Sequence, residues 1–225
     1  MKEMFSSILR SQRVSKTLIE AGEKEFYKKN TTIASPGEII DKFYYILKGR
    51  VLCIEYSPEG NEKIEFILED GSIFLESNLL FDVPAFTYFK AVEDSYIIHL
   101  SKNKLMELIL NNLDISLFIM ESLTKKFFSS MSRIEELLFH DVEWRICNLF
   151  ISMAKSYGIE TENMIKLNFK ISHQFIGHLL GINRITSIKI IKKLKGMNYI
   201  EQIDGYYYIK DLNGLEQYQA RQKIK

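Results

Sequence analysis

The stretch from Ile171 to Tyr208, ISHQFIGHLLGINRITSIKIIKKLKGMNYIEQIDGYYY, constrains the chain more than any other. Ser172 is placed to cap a short helix whose Phe175, Ile176, Leu179 and Leu180 turn inward. Gly177 falls where two crossing helices need a small residue, and Gly181 tolerates the positive φ of a tight turn. Asn183 then caps a second helix, with Ser187, Ile190, Ile191 and Leu194 on one face at i, i+3, i+4 and i+7. The opposite face carries Arg184, Ile185, Ile188, Lys189 and Lys192. Gly196 and Asn198 end that helix, and two short runs around Asp204-Gly205 read as a hairpin. Helix, short turn, helix and hairpin make the winged helix-turn-helix plan, which places the second helix in the major groove of double-stranded DNA. The plainer alternative is a helical hairpin whose cationic face meets only solvent.

Charge agrees with the first reading. The chain has a net charge of +1, yet residues 1–142 carry 17 Lys+Arg against 22 Asp+Glu, while residues 143–225 carry 13 against 7. An acidic first part and a basic last part suit two jobs, the basic one meeting a polyanion. At 225 residues the chain has room for two ordinary domains. Two cysteines build neither a disulfide framework nor a four-thiolate cluster. No apolar run approaches the ~18 residues that cross a bilayer. The opening MKEMFSSILRSQRVSK lacks a signal-peptide core. The expectation is a cytoplasmic protein with no membrane partner.

The first hundred residues read as β-structure. Ser35-Pro36-Gly37-Glu38 is a turn signal. Runs at residues 43–47, 51–56, 64–68, 73–75, 88–92 and 95–100 are β-branched and aromatic, separated by Gly- and Pro-bearing turns. This spacing predicts an antiparallel barrel or jelly roll. From about Asn112 to Leu138 there is no Gly or Pro, and apolar residues recur at three, four and seven. A helix of about 25 residues is ~38 Å long, more than a small barrel covers. Met120, Leu123, Phe127, Met131 and Ile134 are therefore expected in a seam with a second copy of the chain. The competing reading packs the whole stripe on its own barrel. Asp141 is placed to cap the next helix, with Glu143 in its first turn and Ile146, Leu149, Phe150 and Met153 spaced for burial.

Taken together, these segments resemble the cyclic-AMP receptor protein and FNR regulators of bacteria, from about Lys16 to Leu212. The resemblance is carried by Pro36-Gly37-Glu38, Tyr45-Ile46-Leu47-Lys48-Gly49, Asp70-Gly71-Ser72-Ile73, the junction from Phe139 to Ile146, and the helix-turn-helix. It implies an α+β chain: an N-terminal antiparallel β-roll of the cyclic-nucleotide-binding type, a long dimerisation helix, and a C-terminal winged helix-turn-helix. The expected boundaries are residues 1–110, 111–140 and 141–225. The expected function is a homodimeric, sequence-specific transcriptional regulator acting on a palindromic operator, with RNA polymerase as a further partner. By the same resemblance Ser172 and Gln174 fall at phosphate-contacting positions, and Arg184 and Lys189 at base- or backbone-contacting ones. With Asn183, Ile185, Thr186, Ile188 and Lys192 they make up the expected DNA-binding set. Where the best-known members read cytosine with a glutamate, this chain has Ile185, which suits a thymine methyl. Two readings of Ile185 and Ile188 stay open here, base contact or partial burial.

The effector site departs further. The family pairs Gly-Glu with a downstream Arg-Ser that neutralises a cyclic phosphate; this chain has Leu75-Glu76 and, at residues 83–88, VPAFTY without an arginine. A phosphate without a cation is poorly served, so cyclic AMP is not expected. Cys53 and Cys147 are too few for an iron–sulfur cluster. His99 and His140 read as structural rather than as haem ligands, and His173 and His178 are five apart and share no metal. No cofactor and no metal are expected. Tyr44, Phe66, Phe74, Glu76, Phe86, Tyr88 and Phe127 are candidates for lining a pocket for a small aromatic or otherwise apolar effector, as in the family's branch that senses halogenated aromatic acids. Lys125 and Lys126 are placed to meet such a ligand's negative charge. A constitutive regulator whose pocket is filled by its own side chains is the open alternative.

Two other function classes fit the sequence less well. A cupin-like metalloenzyme needs several inward histidines, and only His99 falls in the roll. There is also no nucleophile elbow or phosphate-cradling loop, so no catalytic residues are expected. A regulatory subunit that no longer binds DNA would differ from a working regulator in lacking salt-dependent duplex binding.

Overall fold

The structure is a computed structural model that describes residues 2–222, with side chains described from residue 12 onward. The chain divides into two compact units, one made of Met1–Ser57 and Ile64–Phe128, the other of Pro58–Lys63 and Ser129–Lys225.

The first unit holds α1 (Lys2–Ala21), β1 (Glu23–Tyr27), β2 (Thr32–Ala34), β3 (Lys42–Lys48), β4 (Val51–Tyr56), most of β5 (Glu62–Leu68), β6 (Ile73–Phe74), α2 (Glu76–Phe81), β7 (Tyr88–Ala91), β8 (Ser95–Ser101) and α3 (Lys102–Asn111). Two four-stranded sheets, ordered β1-β8-β3-β6 and β2-β7-β4-β5, form the roll. In β3 four consecutive residues, Phe43 to Ile46, are buried rather than alternating. The reason is cover on both faces: the roll interior lies on one side, and α2 and α3 pack against β3 on the other. β8 is likewise covered by α1 and α3. Phe43, Ile46, Ile73, Phe74, Ile97, Ile98 and Leu105 anchor this core.

The expected long helix is α4, Leu113–Phe139, which starts where the Asn112 side chain accepts from the Asp114 and Ile115 amides at 3.0 and 3.3 Å. Ile115 and Ile119 are buried in the roll core, and Leu123, expected in the seam with a second copy, packs partly against that core and is not exposed like the rest of the stripe. Met120, Phe127, Phe128, Met131, Ile134, Leu137 and Leu138 are exposed, so most of the apolar stripe is left uncovered by the described residues. The expected boundary at residue 110/111 differs from the observed partition. The first turns of α4 pack into the roll, and the division falls within the helix after Phe128.

The second unit contains α5 (Val142–Tyr157), β9 (Gly158–Glu160), β10 (Ile165–Lys170), α6 (His173–Leu180), α7 (Arg184–Gly196), β11 (Ile200–Ile203), β12 (Tyr206–Ile209) and α8 (Leu212–Ala220). Its sheet runs β11-β12-β10-β9. Ile146, Phe150, Leu167, Ile176, Ile191, Leu194, Tyr207 and Leu215 fill its core. Asp141 caps α5 by accepting from the Trp144 amide at 2.8 Å. Eight elements go beyond the sequence reading: α1, β1, β2, α2, α3, β9, β10 and α8. In addition Leu75, read as the end of a strand, instead takes a left-handed conformation (φ 61°) and starts α2.

Gly177 is where the two helices of the helix-turn-helix meet. A Cβ there would lie 2.7 Å from the Ile182 carbonyl oxygen, a backbone atom of the turn that cannot step aside. Gly177→Ala is therefore expected to destabilise the second unit by about 1–3 kcal/mol, read as a lower urea midpoint for its unfolding. A wild-type midpoint would contradict this packing.

Candidate nucleic-acid interface

The two short helices are capped as their sequence requires. The Ser172 hydroxyl accepts from the Phe175 amide at 3.0 Å, and the Asn183 side chain accepts from the Thr186 amide at 2.8 Å. Between them Gly181 closes α6 at φ 65°. Ser187 is fully buried, and its single hydroxyl hydrogen is within reach of the carbonyls of His173 (2.9 Å) and Arg184 (2.8 Å), the former contact tying α7 to the start of α6. Buried and satisfied, this contact fixes the angle at which α7 is presented. Ile191 and Leu194 continue the inward face, as expected.

The outward face of α7 is what sequence spacing predicted. Arg184, Ile185, Ile188, Lys189 and Lys192 are exposed, with Thr186 half-buried, and Ser172, Gln174 and Asn183 are exposed at the helix starts. Ile185 is 79% exposed, against the reading of burial, while Ile188 at 37% is partly covered. Other lysines of this helix do different work. Lys193 pairs with Glu143 at 2.7 Å, and hydrogen bonding to that carboxylate raises its pKa. Lys195 donates to Gln202 at 2.9 Å. The hairpin turns at Asp204 (φ 52°) and Gly205 (φ 84°), the primed-turn geometry that an Asp-Gly pair permits. Beside it β10 supplies two cations missed in the sequence: Lys166 and Lys170 lie 4.3 and 5.1 Å from the Tyr206 ring centroid. The alternating run IKLNFK was the available signal, but it sits next to a polar stretch without clear periodicity.

In the roll, the candidate effector residues separate into two groups. Tyr44 and Phe74 stack at 4.9 Å, Phe89 stacks on Phe74 at 5.2 Å, and Phe66 packs against the same core. Glu76 is 2% exposed, and its carboxylate meets the Lys126 ammonium at 2.5 Å. Lys126 also donates to the Ile73 carbonyl at 2.9 Å. Phe86 (71% exposed), Tyr88 and Phe127 do not belong to this interior. Phe86 lies on the loop after α2, Tyr88 packs edge-on against Tyr56 on the outer side of its strand, and Phe127 is on the uncovered stripe of α4. Lys126 also departs from expectation, since its charge is already matched by Glu76. Cys53 is buried against Thr87, and burial raises its thiol pKa. Among the described residues no group of His, Cys, Asp and Glu is arranged to hold a metal ion, and no helix is long and apolar enough to cross a membrane.

His99 lies at the edge of the aromatic stack, with Nε2 3.1 Å from the Tyr27 hydroxyl and 3.3 Å from Glu25. Burial holds its pKa below the ordinary 6.5 despite the carboxylate. The folded roll thus prefers neutral His99, while the unfolded chain takes up a proton as pH falls through about 6.5. This stabilisation is present above that pH and lost below it. The melting temperature of the wild type should fall between pH 7.5 and 5.5 more steeply than that of His99→Gln. Equal slopes would contradict the assignment.

Comparison with known proteins matches both halves of the chain. Residues 24–112 match the cyclic nucleotide-binding domain, and residues 145–218 the Crp-like helix-turn-helix domain. The cAMP-activated global transcriptional regulator CRP of Haemophilus influenzae is 30% identical over 171 residues, covering 75% of each chain. The global nitrogen regulator of a Nostoc species is 24% identical over 173 residues, 76% of this chain and 78% of that one. Among solved structures, a CooA mutant from Carboxydothermus hydrogenoformans superposes with a TM-score of 0.81 at 21% identity over 90% of both chains. CprK complexed with OCPA gives 0.76 at 18% identity, over 90% of this chain and 92% of that one. These two share its fold.

Proposed function

The chain belongs to the CRP/FNR family of DNA-binding transcriptional regulators, and from that premise we propose that it acts as a homodimer that reads a palindromic operator through α7. The observation that carries the reading is the outward face of α7, where two exposed isoleucines stand among Arg184, Lys189 and Lys192. Arg184 in the first turn is placed to grip a guanine edge with two parallel N–H bonds, while Ile185 offers methyl contact to thymine and no hydrogen-bond acceptor. Ser172, Gln174, Asn183, Thr186, Ile188, Lys189 and Lys192 serve backbone and flanking contacts. The uncovered stripe of α4, from Met120 through Phe127, Met131 and Ile134, serves as the dimer seam. Two copies would then sit on half-sites about one helical turn apart. RNA polymerase is the partner that a regulator of this kind addresses at a promoter.

The roll in this reading takes no cyclic nucleotide, iron–sulfur cluster or haem. In support, Leu75 replaces the small residue beside the glutamate, and Glu76 is engaged by Lys126 rather than offered to a ribose. The region from Val83 to Tyr88 supplies no cation for a phosphate. An effector, in this reading, is a small aromatic acid whose carboxylate exchanges with Glu76 on Lys126. The Tyr44–Phe74–Phe89 stack favours a second reading, in which the chain's own rings fill the space and no effector is required.

Selection of bound duplexes from a random pool tests the core of this proposal. A palindrome recovered without any added small molecule supports DNA reading and favours the constitutive form. A palindrome recovered only with an aromatic acid favours the effector-controlled form. Failure to enrich any sequence, with or without such acids, contradicts the proposal. Arg184→Ala is expected to abolish preference at one base pair, and Ile185→Glu to move the preference at its position from thymine toward cytosine, each by about 1–3 kcal/mol. An unchanged selected site in either variant removes that residue from the reading role.

A further inference from the structure

The front of α7 is held by Ser187, whose hydroxyl reaches the His173 carbonyl at the start of α6. Six residues on, ~9 Å along the axis at 1.5 Å per residue, a second polar contact holds the rear. The Lys193 ammonium lies 2.7 Å from Glu143 Oε1 and donates to Oε2 at 3.0 Å, so one carboxylate of α5 takes it with both oxygens. The Tyr218 hydroxyl of α8 donates to the same Oε1. Three helices, α5, α7 and α8, thus meet on one carboxylate.

α8 is itself anchored to hold its end of this contact. Asp211 caps it by accepting from the Gly214 amide at 2.8 Å, and Leu215 is fully buried. Lys155 of α5 pairs with Glu216 at 2.6 Å, and Gln219 donates to Asn148 at 3.2 Å. The Tyr218 ring lies 5.4 Å from that of Tyr199, just after α7, and 5.6 Å from the Lys193 ammonium, within cation–π range. Burial, and after it the bond to Glu143, raises the Tyr218 pKa, so the phenol keeps its proton and donates. The Glu143 side chain is 19% exposed against 46% for Lys193, which makes the carboxylate the sheltered partner of the pair.

Burial of Ile191 and Leu194 draws α7 onto the core, but apolar attraction is non-directional. An ammonium and a phenol hydroxyl on one carboxylate have preferred distances and angles, so they fix rotation and tilt where apolar contact tolerates sliding. Side chains that read base edges work only within a narrow range of orientations. Resting on the operator reading above, we infer that Glu143 and Tyr218 are positioning residues for it: they clasp Lys193 and set the orientation in which Arg184 and Ile185 meet the bases, without touching DNA themselves.

Fluorescence anisotropy at fixed salt, well below the melting temperature, tests this on the full-length protein. Two labelled duplexes are compared, the site selected by the wild type and one of equal length with scrambled half-sites, and the quantity read is the ratio of affinities. Tyr218→Phe keeps the ring and removes only the hydroxyl. It is expected to lower the ratio about fivefold or more, the size of one weakened base-pair contact, with affinity for the scrambled duplex unchanged. Glu143→Gln should lower the ratio at least as far, with scrambled-duplex affinity no weaker, since a negative charge is removed. The double variant should lose no more than Glu143→Gln alone, because both changes act through one carboxylate. If Glu143→Gln fails to fold, Tyr218→Phe carries the test alone. A contact that merely stabilised the unit would lower the urea midpoint and leave the ratio untouched. A wild type that discriminates while the folded variants match its ratio therefore overturns this inference alone, as do losses that multiply in the double variant. A wild type that selects no site overturns the operator reading, and this inference with it.

Discussion

Only Ile115 and Ile119 of the 27-residue α4 are fully buried, and most of its apolar side chains from Met120 onward are exposed. At about 25 cal/mol for each Å² of apolar surface removed from water, the exposed run from Met120 to Leu138 represents a large unspent driving force. Monomeric proteins rarely leave a contiguous apolar stripe of this extent in solvent. The rest of the proposed mechanism depends on what covers it. A second copy would pair the stripe with itself in a closed, two-fold arrangement and set two recognition helices on one duplex.

The same helix links the roll to its own exposed apolar stripe. Lys126 reaches Glu76 and the Ile73 carbonyl, while Phe127, the next residue, lies on the exposed stripe. A buried ion pair is weak evidence for net stability, because desolvation offsets its attraction, yet breaking one partner leaves a costly unpaired charge. The pair therefore acts as a positional constraint. Anything that competes for either charge must also act on the helix next to the seam.

The DNA-reading half was legible because its determinants are local. Ser172, Gly181, Asn183 and the Asp204-Gly205 turn each act within three or four residues, and each takes the conformation that its neighbours in sequence dictate. The length of α4 was legible for the same reason, from an uninterrupted apolar period. The roll's interior was not, because it is made by contacts between distant residues. Composition placed Phe86, Tyr88 and Phe127 with Tyr44 and Phe74, but loop position and strand alternation turn those three outward. The partner of Lys126 is 50 residues away in sequence, and no spacing rule links it to Glu76. β10 escaped notice since a six-residue strand beside a polar loop has too short a period to stand out, so Lys166 and Lys170 were missed with it.

The central claim is that two chains, joined through α4, read one operator. Sedimentation equilibrium of the protein mixed with a duplex carrying its selected site measures that stoichiometry directly. The account predicts two chains per duplex for the wild type, with Met131→Glu reducing the free protein to a monomer and weakening the complex. A stable complex of one chain per duplex, or a dimer untouched by charge placed on the stripe, would contradict it.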